Sequence, residues 1–134
     1  MPTLIPTLTL TSTDASSDEL SFSVVDSLTI KAPSTGLSTV VVDTTGANNI
    51  IVPSNDNKQT WTYVRHTGTT DGSTATAAHV DVEITGDVAV GTLKPGEFFF
   101  FPFCGNGGDK GVQLQSVSGS IQVEYAYWSD STAQ

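Results

Sequence analysis

Charge is scarce in this chain of 134 residues: only 14% are Asp, Glu, Lys or Arg, against about a quarter in an ordinary soluble domain. Five basic residues face 14 acidic ones, for a net charge of −9. That balance argues against nucleic acid as a partner, because phosphate contacts need Lys and Arg. The single cysteine, Cys104, excludes an intrachain disulfide and leaves the redox compartment open. No apolar run approaches the length of about 18 residues that reads as a membrane span. The opening Met-Pro-Thr-Leu-Ile-Pro-Thr-Leu has neither the basic region nor the apolar core of a signal peptide. The expectation is a soluble protein made in a cytoplasm, with no membrane partner. Gly-x-Ser-x-Gly, phosphate-loop, CxxC and paired-carboxylate signatures are all missing.

What is present is Ser and Thr, about a quarter of the chain, together with abundant Val. Thr and Val with few long charged side chains favour strands over helices. Leu8 and Leu10 alternate with threonines, and Leu20, Phe22 and Val24 alternate with Glu19, Ser21 and Ser23, the pattern of a half-buried strand. The runs 40–42 and 50–52, split by the turn-forming segment 44–49, read as a hairpin. Trp61 and Tyr63, then Val80, Val82 and Ile84, then Ile121, Val123, Tyr125 and Tyr127 alternate in the same way. Residues 32–36 and 53–58 read as loops, 67–73 as a flexible connection, and 105–111, with four glycines, as a long mobile tip. Turn signals every 8–12 residues predict a single all-β domain, an antiparallel sandwich of jelly-roll type. Pro2 and Pro6 forbid a helix at the start, so residues 1–12 are expected as an extended N-terminal arm, 13–129 as the sandwich and 130–134 as a polar tail.

The stretch 93–103 reads Leu-Lys-Pro-Gly-Glu-Phe-Phe-Phe-Phe-Pro-Phe. Pro95-Gly96 signals a turn, and five phenylalanines follow within six residues. On a strand Phe98 and Phe100 point one way, and Phe99, Phe101 and Phe103 the other. Each buried ring is worth roughly 1.5–3 kcal/mol, so both faces need covering, one of them by another part of the chain or another molecule. This points to assembly rather than catalysis.

Candidate chemistry is thin. His79, Asp81 and Glu83 share one strand face and in principle bridge a cation, but no fourth ligand stands at a diagnostic spacing. The turn at 93–97 resembles a segment of cupin barrels, whose metal site takes two histidines one residue apart and a later third. This chain has only His66 and His79. Cys104 follows Pro102-Phe103, an apolar setting that disfavours the thiolate. Asp56, Asp71 and Asp109 lie in expected loops, where aspartate is ordinarily turn chemistry. The expectation is no catalytic residue, no cofactor and no metal. Trp128 falls on the polar face beside Gln122 and Glu124, a position suited to an interface anchor or a sugar contact.

Three segments together, Tyr63-Val64-Arg65-His66-Thr67-Gly68, the stretch 93–103 and the closing 123–128, resemble small β-rich virion structural proteins of tailed bacteriophages of marine and cyanophage type. The resemblance covers the C-terminal half of the chain. It implies a non-enzymatic capsid decoration or cement protein on the virion surface, synthesised in the host cytoplasm. Such a protein binds the major capsid protein as a homo-oligomer, a trimer or dimer, and clamps neighbouring capsomers. The residues expected at interfaces are Thr3, Leu4, Ile5, Thr7, Leu8 and Leu10 against the shell, and Phe99, Phe101 and Trp128 between subunits. Two alternatives stay open: a tail, neck or fibre-attachment protein of the same particle, and a carbohydrate-binding sandwich module.

Overall fold

The computed structural model of the protein describes residues 2–45, 49–53, 58–86, 88–104 and 110–133, and every regular element among them is a strand. The first four are β1 (Thr3–Leu4), β2 (Thr7–Ser12), β3 (Leu20–Val25) and β4 (Leu28–Thr29). Next come β5 (Lys31–Val42), β6 (Ile50–Val52), β7 (Lys58–His66) and β8 (Val80–Ile84). The chain closes with β9 (Val88–Leu93), β10 (Phe98–Cys104), β11 (Val112–Ser116) and β12 (Ile121–Ala133).

From β5 onward the chain builds two four-stranded antiparallel sheets, in the orders β10-β7-β12-β5 and β6-β11-β8-β9. That distribution of eight consecutive strands is the double Greek key of a jelly roll. The alternating patterns explain why: one side of each strand is aliphatic and the facing sheets bury it. Val42, Val64, Ile121 and Val123 meet Val52, Val80, Val82, Val112 and Leu114 in one core. Small polar side chains, Thr60, Thr62, Ser116 and Ser129, are buried with them. Thr60 and Ser129 share a hydrogen bond of 3.1 Å between neighbouring strands, and among the described residues no buried side-chain polar atom lacks a partner.

Several local expectations are corrected. The segment 42–50 is no hairpin, because β5 belongs to one sheet and β6 to the other. Asn49 stitches this crossover: its Nδ2 donates to the carbonyls of Asp43, Thr45 and Leu114, and its Oδ1 accepts from the Asp43 amide. Residues 32–36 continue strand β5, held by the long partner β12 and by bulges near Tyr127 and Trp128. As the sheet edge, β5 tolerates Pro33. The expected tail is also strand as far as Ala133, which pairs with Lys58. The connection 67–73 is not loose. Thr70 and Thr74 pair at 2.8 Å, Thr76 donates to Gly68, and Asp71 Oδ1 accepts from the Ser73 and Thr74 amides. The glycine-rich tip at 105–109, with Asp109, and also Asp56 lie outside the described residues.

The largest correction concerns the N-terminus. The arm does not run out alone: β2 pairs with β3 from Thr7↔Val25 to Ser12↔Leu20, and β1 pairs with β4. Backbone bonds from Asp26 to Pro6 and from Ile30 to Pro2 close the gaps. The expected boundary after residue 12 is therefore the turn of one long hairpin, which leaves the sandwich at Ile30. Strand β3, expected half-buried, is exposed along its whole length.

Candidate docking surface

The Pro95-Gly96 turn sets the geometry. Gly96 has φ +86°, a conformation open to glycine at little cost. The Lys94 amide donates to Glu97 Oε2 at 2.8 Å, and the turn carries the chain from β9 in one sheet to β10 in the other. Strand β10 then runs along β7, Phe98 opposite Arg65 and Cys104 opposite Gln59.

The two sets of phenylalanine separate as their spacing dictates. Phe103 is buried in the core, and Phe99 and Phe101 pack against it, with ring centroids 5.1 Å apart between Phe99 and Phe101 and 6.3 Å between Phe101 and Phe103. The outward set is Phe98 and Phe100, and Phe98 is 61% exposed. Phe99 and Phe101, expected at a subunit interface, therefore lie on the inward side. Both border a cleft of about 650 Å³ between β9 and β10, lined also by Val82, Val90 and Leu93.

On the outer face Phe100 stacks on Trp61 with centroids 5.4 Å apart and planes 21° from parallel. Trp128 lies opposite Trp61 in register, and Ala126 opposite Tyr63. The Tyr63 hydroxyl donates to Glu124 Oε1 at 2.9 Å. Burial, reinforced by the bond and charge of Glu124, raises the pKa of that phenol. Over this aromatic floor stands the foot of the hairpin. Leu4, Leu8 and Val24 join Trp61, Phe98 and Trp128 around a second cleft of about 650 Å³.

The hairpin carries the apolar surface onward. Register places Leu8 beside Val24, Leu10 beside Phe22, and Leu20 beside Ser12. Alternation puts those five apolar side chains on one face, between 36% and 56% exposed. Of the other expected contact residues, Thr3 and Thr7 are exposed, Leu4 is half-buried, and Ile5 is 63% exposed. Trp128 is half-buried and borders both the aromatic cleft and a smaller one beside Leu4 and Ile30. Trp61, Phe98, Phe100, Leu20, Phe22 and Val24 belong to this surface although none was among the expected contact residues. Two matching apolar alternations flanking the polar turn at 14–18 are a hairpin signal and locate the last three.

Nothing comparable gathers around the titratable groups. His66 is buried, its Nδ1 accepting from the Gly68 amide and its Nε2 2.9 Å from the Ala78 carbonyl. That pattern belongs to a neutral ring with the proton on Nε2 and occupies both nitrogens. Glu83 is not on a wet face as expected; it is buried and accepts from Gln113 Nε2 at 3.0 Å. Among the described residues no three His, Cys, Asp or Glu side chains are grouped to hold a metal. Cys104 and His66 sit at opposite ends of the β7–β10 ladder, about 23 Å apart by strand rise. Asp71, whose carboxyl the Thr74 and Ser73 amides hold below the ordinary aspartate range, is a turn residue.

Fold and surface together define an eight-stranded jelly roll with an external apolar hairpin. No protein-family model, curated protein or solved structure matches the chain.

Proposed function

We propose that this chain is a structural protein of a phage particle, a decoration or cement protein that binds the major capsid protein lattice as a homo-oligomer. The observation that carries the reading is the continuous apolar surface from the aromatic floor at Trp61, Phe98 and Trp128 up the hairpin face. Exposed apolar patches larger than a few hundred Å² mark contact sites, and this one is held on a rigid sandwich. The three segments that resemble phage virion proteins belong to β7, β10 and β12, neighbours in a single sheet, and their outer side chains form the floor of that surface. Jelly rolls also build lectin and cupin domains, so the fold by itself does not choose among functions.

Shell contact in this reading uses the arm between Thr3 and Leu10, whose strands β1 and β2 each belong to a two-stranded sheet and suit strand addition. The low charge of the hairpin strands lets them lie against a protein shell, while the acidic remainder keeps many copies soluble. The test is co-sedimentation of the purified chain with expanded, DNA-free heads. Saturable binding at a copy number that follows the capsomer lattice is expected, with occupancy lowered by Ile5→Asp. Absence of binding overturns the head reading, and binding confined to a few copies at one vertex moves the protein to the neck or tail. The exposed aromatic floor with Trp128 at its rim also suits sugar stacking. Glycan binding that Trp128→Ala abolishes establishes that second reading.

A further inference from the structure

A lone two-stranded hairpin is marginal in water and needs further strands or a packed face. Strands β2 and β3 have neither, although five apolar side chains line one side in register. Three observations indicate what covers that side. First, the strands themselves, Thr-Leu-Thr-Leu-Thr-Ser and Leu-Ser-Phe-Ser-Val-Val, hold no charge, and the charges between them, Asp14, Asp18 and Glu19, gather at the tip. Second, two of the chain's five cations stand at the hairpin's foot. Arg65 is exposed between Phe98 and Glu124 on the neighbouring strands, and Lys31 is exposed just after the bond that closes the foot, where Asp26 also stands. Third, the hairpin stripe amounts to roughly 400 Å², whereas a stable interface takes about 800 Å² from each partner. The apolar surface continues at the foot, where Leu8 and Val24 open onto the same cleft as Trp61 and Phe98.

We infer that a second copy of this chain covers the hairpin. Two hairpins stack face to face and antiparallel about a twofold axis near Leu10 and Phe22, each acidic tip lying over the partner copy's foot. Parallel stacking crowds the two sets of tip carboxylates together, and like charges that close repel. The antiparallel arrangement instead keeps the two tips apart and brings each aromatic floor under the other hairpin. It leaves the outer strand edges free, and it is isologous and closed. The inference rests on the assembly reading of this surface and names its partner. Pairing is measured with no shell present, so its failure and a failure to bind heads are separate results.

Sedimentation equilibrium of the full chain is expected to show a dimer at micromolar concentration. Phe22→Asp is expected to return it to monomer with the melting of the sandwich unchanged, and Arg65→Glu to weaken it about tenfold in low salt and less in high salt. The geometry is read by Leu10→Cys combined with Cys104→Ser. Mild oxidation is expected to link it to itself at least about tenfold faster than the control Val90→Cys with Cys104→Ser, since position 10 lies beside the axis and position 90 does not. A monomer up to about 100 μM, a trimer, a dimer indifferent to Phe22→Asp, or equal oxidation rates for the two cysteine variants overturns the inference. The oxidation comparison decides the matter even where Phe22→Asp disturbs the hairpin.

Discussion

The hairpin of β1 to β4 and the sandwich of β5 to β12 are written in the same residues, Leu, Val, Phe, Ser and Thr in alternation, and meet opposite fates. In the sandwich each aliphatic face finds another: Val123 and Leu114 are wholly inaccessible. In the hairpin Leu10 and Phe22 are as well patterned and remain 44% and 39% exposed. Alternation thus prescribes a two-faced strand but not the presence of a second sheet. Where the chain itself provides one, the result is a buried core; where it does not, the result is an exposed apolar face. The phenylalanine run of β10 shows both outcomes within one strand, Phe103 sealed in and Phe98 in water.

Matched substitutions sharpen this contrast. Val123→Asp is expected to cost on the order of 4–5 kcal/mol and unfold much of the protein at room temperature, because it buries an unpaired charge. Leu10→Asp, measured in the monomer by urea unfolding, is expected to stay within about 0.5 kcal/mol. A comparable loss at the two positions breaks the distinction and places the hairpin inside the cooperative unit. Next in size is His66→Phe, which leaves the Ala78 carbonyl and Gly68 amide without their ring partner. Denaturant unfolding is expected to show a loss of about 2 kcal/mol, and an unchanged midpoint removes the structural role given to that ring.

Tyr63 tests whether the floor of the apolar surface behaves as partly desolvated. Tyr63→Phe is expected to cost roughly 0.5–1 kcal/mol through loss of the Glu124 bond. Because the folded pKa lies above the ordinary 10.0, the stabilisation is complete below pH 10 and disappears as pH rises through the higher folded value. Ultraviolet titration is expected to show a late-ionising phenol that the variant lacks. The smallest effect belongs to Asp71. Its folded pKa lies below 3.8, so its contribution is complete above that value and disappears as pH falls through the lower folded one. The Ser73 and Thr74 amides are expected to lose exchange protection only in that acid range, and earlier loss refutes the turn assignment.

Much of the sandwich was legible because its signal is local. Period-two patterns at 80–84 and 121–127 and the turns at 86 and 95–96 needed nothing beyond neighbouring residues. The sheet crossover at 42–50 was illegible, since a turn-rich connector looks the same whether it returns to the same sheet or passes to the facing one. Glu83 reads as a wet-face carboxylate until Gln113, thirty positions later, is found beside it. The apolar surface was half legible: the phenylalanine run of β10 stood in plain view, but assigning its faces required the position of β7 and of the opposite sheet.

By itself the sequence determined that this is an all-β protein, and that Phe98 and Phe100 part from Phe99, Phe101 and Phe103. Each of these follows from composition or from the geometry of a single strand. Only the tertiary structure decided which ring set turns inward, that residues 2–30 fold back as a hairpin, and that the hairpin's apolar side continues into the aromatic floor. Those choices depend on which distant strands pair, and pairing energy is summed over whole faces rather than set at any one residue.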